Sequence, residues 1–338
     1  MNALPPVPPP APPPATPLAP GPAATERRDQ ADDGRDGTPR GSDERGARAG
    51  GSAAPPAGVA ALPRPVLRMD ARIGAMGRAA AAWADLRDGT RLWRLALSLG
   101  FLDIRLRYRG SLLGPFWLTL SSAVMVASMG AVFSLLFHTS LRGYLPFLSV
   151  SIILWQAGIG ALAGEACTSF TGAEQTIRSM RMPFTVQVLR TVWRNLLVLA
   201  HNIVVPLAVF AIFGAWPGVE AVLSLPGLLL WIVDGMAACF LLGAICARFR
   251  DIPPIVGSLL QIAYYVTPVI WNPSQLGAKG WWLPLNPFFP LMEVVRAPLL
   301  GHVPSAMIWE AAVGYSLAFC LVSALLFIRA RSRIAFWV

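Results

Sequence analysis

The chain has 338 residues, of which 55% are hydrophobic and only 14% charged, with a formal net charge of +10. A soluble domain carries about 25% charged residues, so this composition and a mean hydropathy of +0.54 exclude an ordinary soluble fold and point to a membrane protein. A basic chain also suits nucleic-acid binding; here the arginines stand at the ends of apolar runs, with no zinc-knuckle spacing or separate basic helix, which excludes that class.

Residues 1–66 differ from the rest. "PPVPPPAPPPATPLAPGP" and "ERRDQADDGRDGTPRGSDERGARAGG" mix proline, glycine and both charge signs, with almost nothing to bury. That composition predicts a disordered tail. It is no signal peptide, because a basic start followed by an apolar core is missing. A spacer or docking tail, and initiation at Met69 or Met76 instead, account for it equally well.

Residues 67–110 are predicted to form cytoplasmic amphipathic interface helices. In "RLWRLALSLGFLDIRLRYRG", Leu92, Leu95, Leu99, Leu102 and Leu106 recur at spacings of three and four, while Arg91, Arg94 and Arg105 fall on a neighbouring stripe. This pattern suits a helix lying in the headgroup layer, apolar side down, in preference to one packed on other protein. Arg107 and Arg109 continue the basic run up to the first apolar segment.

That segment, 115–137, is the first of six expected spans; the others are 144–163, 187–214, 221–247, 255–272 and 307–328, each meeting the about 20 apolar residues that a bilayer core requires. The predicted fold is an all-α membrane protein, with the transmembrane domain at 111–338. Six spans place both termini on one side. One set of flanks holds Arg105, Arg107, Arg109, Arg178, Arg181, Arg248, Arg250, Arg329, Arg331 and Arg333, and the other only Arg142, Lys279 and Arg296. Basic residues are retained in the cytoplasm, so both termini are expected there.

Three connections carry more than a turn requires. "GEACTSFTGAEQTIRSMRMPFTVQVLR" puts Glu174, Arg178 and Arg181 in a helix-compatible stretch that ends near Pro183. In "ARFRDIPPIV", Arg248 and Arg250 flank Phe249; Asp251 is placed to cap a helix starting around Pro253, with Ile252 kept extended by the proline after it. "NPFFPLMEVVRAPLLG" opens with Asn286 as cap and Pro287 at the first helical position, and Glu293 and Arg296 are three apart and able to pair. It is only half a span long, so it is expected to dip into the outer leaflet or lie on it, anchored by Trp281 and Trp282.

Inside the spans, His201 and Asp234 are the notable polar residues. If the third and fourth spans form a hairpin turning near Pro217 and Gly218, the two lie at equal depth, and His201 or Asn202 is expected to hydrogen-bond Asp234. Cys167, Cys239, Cys246 and Cys320 form no C-x-x-C pair, the three histidines are scattered, and no hydrolase or zincin motif is present, which argues against an enzyme and against a metal site. Lys279 is the only lysine and follows Ala278, so no Walker A loop is possible and the chain cannot bind ATP in that way.

Five motifs in order, "RYRGSLLGPFWLTL", "RSMRMPF", "RFRDIPPIV", "TPVIW" and "NPFFPLMEVVRAPLLG", resemble the ABC-2 type permeases that export O-antigen, capsule or teichoic-acid chains. The resemblance covers about residues 95–338. It implies a homodimer in the bacterial inner membrane, joined to two copies of a cytoplasmic ATPase that carries the ATP and magnesium, and a lipid-linked polysaccharide as substrate. By the same resemblance, Glu174, Arg178 and Arg181, with Arg248, Arg250 and Asp251, contact the ATPase; Arg91, Arg94, Arg105, Arg107 and Arg109 hold the interfacial helix at the headgroups. Asn286, Glu293 and Arg296 would belong to short re-entrant gate helices before the last span. Sugars pack their C–H faces on aromatic rings, which offers Trp155, Tyr264, Tyr265 and Trp271 as a glycan path. The alternatives are an exporter of a drug or other small molecule, and a proton-coupled secondary transporter suggested by Asp234.

Overall fold

The computed structural model describes residues 74–114, 116–136, 138, 140–180 and 182–338. The proposed tail, 1–66, and the start of the interface region lie outside the described residues, as does Arg181. Every described residue with regular structure is helical.

Two helices precede the first long apolar one: α1 (Ala75–Arg91) and α2 (Trp93–Arg107), which meet at Leu92. The first apolar helix, α3 (Phe116–Leu136), follows a loop that turns at Gly110 and Gly114, both at positive φ, where a side chain would be strained. α4 (Leu141–Ile153) is capped by the Ser140 hydroxyl and runs without a break through a π-helical stretch, Leu154–Gly160, into α5 (Ala161–Cys167). A short charged helix, α6 (Glu174–Ser179), comes before α7 (Phe184–Asn202) and α8 (Val204–Phe213). The third apolar segment is thus broken at Ile203. Pro206 explains the break, since it has no N–H to donate back one turn and its ring crowds that carbonyl.

α9 (Ser224–Arg248) is followed by α10 (Ile252–Val266), α11 (Phe288–Leu299) and α12 (Ala306–Trp337). Among the described residues, five stretches are long and apolar enough to cross a membrane: 116–136, 141–167, 184–213, 219–248 and 306–337. The chain is therefore a multi-pass membrane protein. The segment expected at 255–272 forms only the 15-residue α10, because Pro268 forces Thr267 out of the helical region (ψ 139°). α12 runs nine residues past the expected 328, carrying Arg329, Arg331 and Arg333 out along the same helix.

The core divides in two. One cluster gathers the apolar faces of α4, the π-helical stretch and α11 around Trp231 of α9. Gly158 makes this possible, since a side chain there would collide with the Trp231 ring, whose Nε1 donates to the Leu291 carbonyl at 2.7 Å. The second cluster joins α7, α9 and α12, with the Phe240 and Phe327 rings 4.4 Å apart and Ser323 Oγ donating to the Ala237 carbonyl. Cys167, Cys239 and Cys246 pack inside it or beside it as small buried side chains.

Candidate functional site

At the end of the bundle where α1 and α2 pack, charged side chains that are distant in sequence converge. Arg190 of α7 donates through Nε and Nη2 to the two oxygens of Asp103 on α2, at 2.7 and 2.5 Å. Arg194, one turn on, bridges Asp103 (2.9 Å) and Glu165 of α5 (2.6 Å), and Glu165 also accepts from Asn195 and Arg107. Burial alone would raise the Asp103 carboxyl, but the hydrogen bonds and charges of Arg190 and Arg194 outweigh it and hold the group below its ordinary value. Tyr108, beside the cluster, is raised by burial.

This network gives α2 a protein contact beside the expected surface face. α2 turns Ala96, Gly100 and Asp103 onto α7, where a side chain at Gly100 would press on the Arg190 carbonyl and Trp193, so it packs on protein along that face. The leucine stripe is the adjoining face: Leu92, Leu95, Leu102 and Leu106 are exposed. Arg91, Arg105 and Arg109 are exposed as well, Arg94 lies over the Trp93 ring, and Arg107 is committed to Glu165.

A second knot lies on α1. The Asp85 carboxylate is buried and accepts from the Phe184 and Thr185 backbone N–H groups, the Thr185 hydroxyl and Arg331 Nε. It thus caps α7 from a separate helix and ties α7 to α12. Sequence reasoning missed Asp85, Asp103, Glu165, Arg190 and Arg194. The one available signal was the spacing of Arg190 and Arg194 by four within an expected span, which puts two charges on one face and requires partners.

α6 buries no residue. Glu174 pairs with Arg178 at 3.0 Å along its exposed face, and Arg178 also donates to the Val338 carbonyl at 2.6 Å. At the turn before α10, Arg248 sits over the Phe249 ring, and Arg250 and Asp251 are exposed. Asp251 adopts a helical backbone and makes no side-chain cap, and Ile252 is the first helical residue rather than an extended one. The two prolines at the next positions already fix the first turn.

At the other end of the bundle, α11 does not lie on a surface. Phe289, Met292, Val294, Val295 and Arg296 are all buried, and Gly227 of α9 lets the α11 backbone approach closely. Asn286 does cap the helix, its Oδ1 accepting from Phe288 N at 3.1 Å. Arg296, only 1% exposed, pairs with Glu293, donates to Ser151 Oγ at 3.1 Å and to the Pro268 carbonyl, and stacks on the Phe147 ring at 4.8 Å. One guanidinium therefore fastens α11 to α4 and to the turn after α10. Beside it the four aromatics come together: Trp155 contacts Tyr264 and Phe288 (ring centroids 5.9 and 5.5 Å), Tyr264 contacts Tyr265, and Trp271 Nε1 donates to the Tyr265 carbonyl. Trp155 is buried behind them and Tyr265 is exposed.

The expected bond between His201 or Asn202 and Asp234 is not formed. His201 is exposed, and Asn202 is occupied by Ser122 and the Val198 carbonyl. Asp234 instead accepts from Ser316 Oγ of α12 at 2.7 Å and lines a cavity of about 830 Å³ between α5, α9, α10, α11 and α12.

No protein-family model matches the chain. It is 26% identical over 211 residues to the O-antigen export system permease protein RfbA of Myxococcus xanthus, covering 62% of this chain and 81% of that one. Two proteins of the same description from Klebsiella pneumoniae are 22% and 21% identical over 187 and 203 residues, or 72% and 78% of their lengths. The chain is thus similar to O-antigen export permeases, the kind of protein that the five ordered motifs resemble.

Proposed function

We propose that this chain is the membrane-spanning permease subunit of an ATP-driven exporter of a lipid-linked polysaccharide, working as a homodimer in the bacterial inner membrane with both termini in the cytoplasm. The similarity to three O-antigen export permeases supports the substrate class. The lack of a Walker A loop in the sequence supports placing ATP hydrolysis on a separate subunit, two copies of which would bind the cytoplasmic end in this reading. In this reading α10 completes a sixth, short crossing, and the barely buried faces of α3 and α10 are covered by the second permease. Tyr264, Tyr265 and Trp271 present ring faces to the glycan, with Trp155 as their support.

The single observation that carries the coupling mechanism is α6. A six-residue charged helix with no fully buried residue rests on the second core cluster through the half-buried Ile177 and leaves Glu174 and Arg178 exposed, and it is tethered through Arg178 to the end of α12. It is placed to receive an ATPase and pass its movement to a helix that runs the length of the bundle. The network of Asp103, Glu165, Arg190 and Arg194 keeps that end rigid, so a push on α6, or on the turn formed by Arg248, Arg250 and Asp251, moves helices rather than loosening them. α11, fastened by Arg296, is the outer gate.

The test is a double charge reversal, Arg178→Glu with Arg181→Glu. Insertion should be unchanged, because many other basic flanks remain. Co-purification with the cognate ATPase should fall, and surface polysaccharide should disappear. If both stay at wild-type level, α6 is not the coupling element.

A further inference from the structure

The cavity between α5, α9, α10, α11 and α12 is walled by aliphatic and aromatic side chains, with four polar residues among them: Asp234, Asn286, Tyr315 and Ser316. Three are already used by the protein. Ser316 donates to Asp234 Oδ2, Asn286 bonds Thr267 Oγ1 and the Phe288 N–H, and the Tyr315 hydroxyl bonds the carbonyls of Pro284 and Leu285. Asp234 Oδ1 remains, buried and without a hydrogen-bond partner among the described residues.

Asp234 lies eleven residues into the 25-residue α9, near mid-span. No lysine, arginine or histidine lines the cavity among the described residues. A buried carboxylate oxygen at this depth with no cationic side chain beside it is costly, and a ligand that supplies a donor relieves that cost. An anion or a ligand with acceptors only would be repelled. The cavity is the size of ordinary small-molecule sites, about 300–1,000 Å³, and its α10 wall from Val256 to Val266 is about 15 Å long at 1.5 Å per residue. None of the α10 residues is buried within the chain, so that wall is the one that can give way to admit a molecule.

We propose that this cavity binds a lipophilic amine, its aliphatic chain along α10 and its ammonium on Asp234 Oδ1. The site adjoins the aromatic surface assigned to the glycan, because Phe288 lines the cavity and meets Trp155, and the proposal does not depend on the exporter reading, since it concerns binding alone.

The experiment uses the purified full chain in dioleoylphosphatidylcholine nanodiscs. Diazirine-bearing dodecylamine is photo-crosslinked and the labelled peptides mapped, beside the matched dodecanol, which has the same body but no charge. Saturable amine labelling is expected on the lining peptides of α9, α10 and α12, competed by unlabelled dodecylamine, with the alcohol about tenfold weaker. Asp234→Asn should lower the amine to the level of the alcohol. Ala263→Trp, which fills the cavity and leaves Asp234 in place, should remove labelling by both, whereas Leu325→Trp on the outer face of α12 should not; this pair decides the matter if Asp234→Asn does not fold. Equal labelling by amine and alcohol overturns the proposal, as does labelling indifferent to Ala263→Trp or spread without competition over the exposed faces of α3 and α8.

Discussion

Asp85 and Arg331 stand 246 positions apart in the chain and meet at 3.1 Å. The same carboxylate closes the N-terminus of α7, where unpaired N–H groups and the helix dipole favour an anion. Asp85→Ala should therefore cost about 2–4 kcal/mol, and Arg331→Ala, whose side chain is 31% exposed, about 1 kcal/mol or less. Thermal unfolding of the detergent-solubilised protein measures both. Equal losses would mean that the ion pair, not the cap, is the anchor.

The depressed Asp103 carboxyl has a defined pH signature. A group whose folded pKa lies below its unfolded one adds stability above the unfolded value, here an ordinary 3.8, and loses it as pH falls through the folded value. Asp103→Asn should thus be less stable than wild type at neutral pH, with the deficit shrinking below about pH 4. A deficit that is constant from pH 7 down to the acid limb would remove Asp103 from the titrating network.

Arg296 should be the least replaceable residue of the outer end. Arg296→Met strands Glu293 and cuts the ties to Ser151 and Pro268, for an expected loss of about 3–5 kcal/mol. Adding Glu293→Gln removes the stranded charge and should restore part of it. A double variant no more stable than Arg296→Met would show that Glu293 is already satisfied by water.

Orientation is testable with single cysteines in a cysteine-free background. Gly218, Ser274, Ser179 and Ser332 are all exposed. Gly218→Cys and Ser274→Cys should react with an impermeant maleimide on intact cells, and Ser179→Cys and Ser332→Cys only after permeabilisation. Labelling of Ser179→Cys on intact cells would reverse the topology.

Most of the spans were readable from composition, because a bilayer demands about 20 apolar residues in sequence and a run such as 116–136 announces itself with no knowledge of its neighbours. The short helix 288–299, its cap at Asn286 and the pair formed by Glu293 and Arg296 were readable too, since each rests on residues within one or two turns. The break at Ile203 and the early end of α10 were written in Pro206 and Pro268, but a window that averages hydropathy passes over a single proline. What could not be read was rotation and partnership across the fold. Hairpin arithmetic matches His201 to Asp234 in depth, yet neighbours on a helix differ by about 100° in direction, so Asn202 faces inward, His201 faces out, and Ser316 of another helix meets Asp234. The leucine stripe of α2 was correctly seen as apolar, but only assembly shows that Ala96 and Gly100 are the packed face, because small residues carry little hydrophobic signal while permitting the closest approach. The links from Asp103 to Arg190 and from Asp85 to Arg331 span 87 and 246 positions; no local pattern encodes such pairs, and they come into being only when packing brings charges out of water and leaves each with the other as its partner.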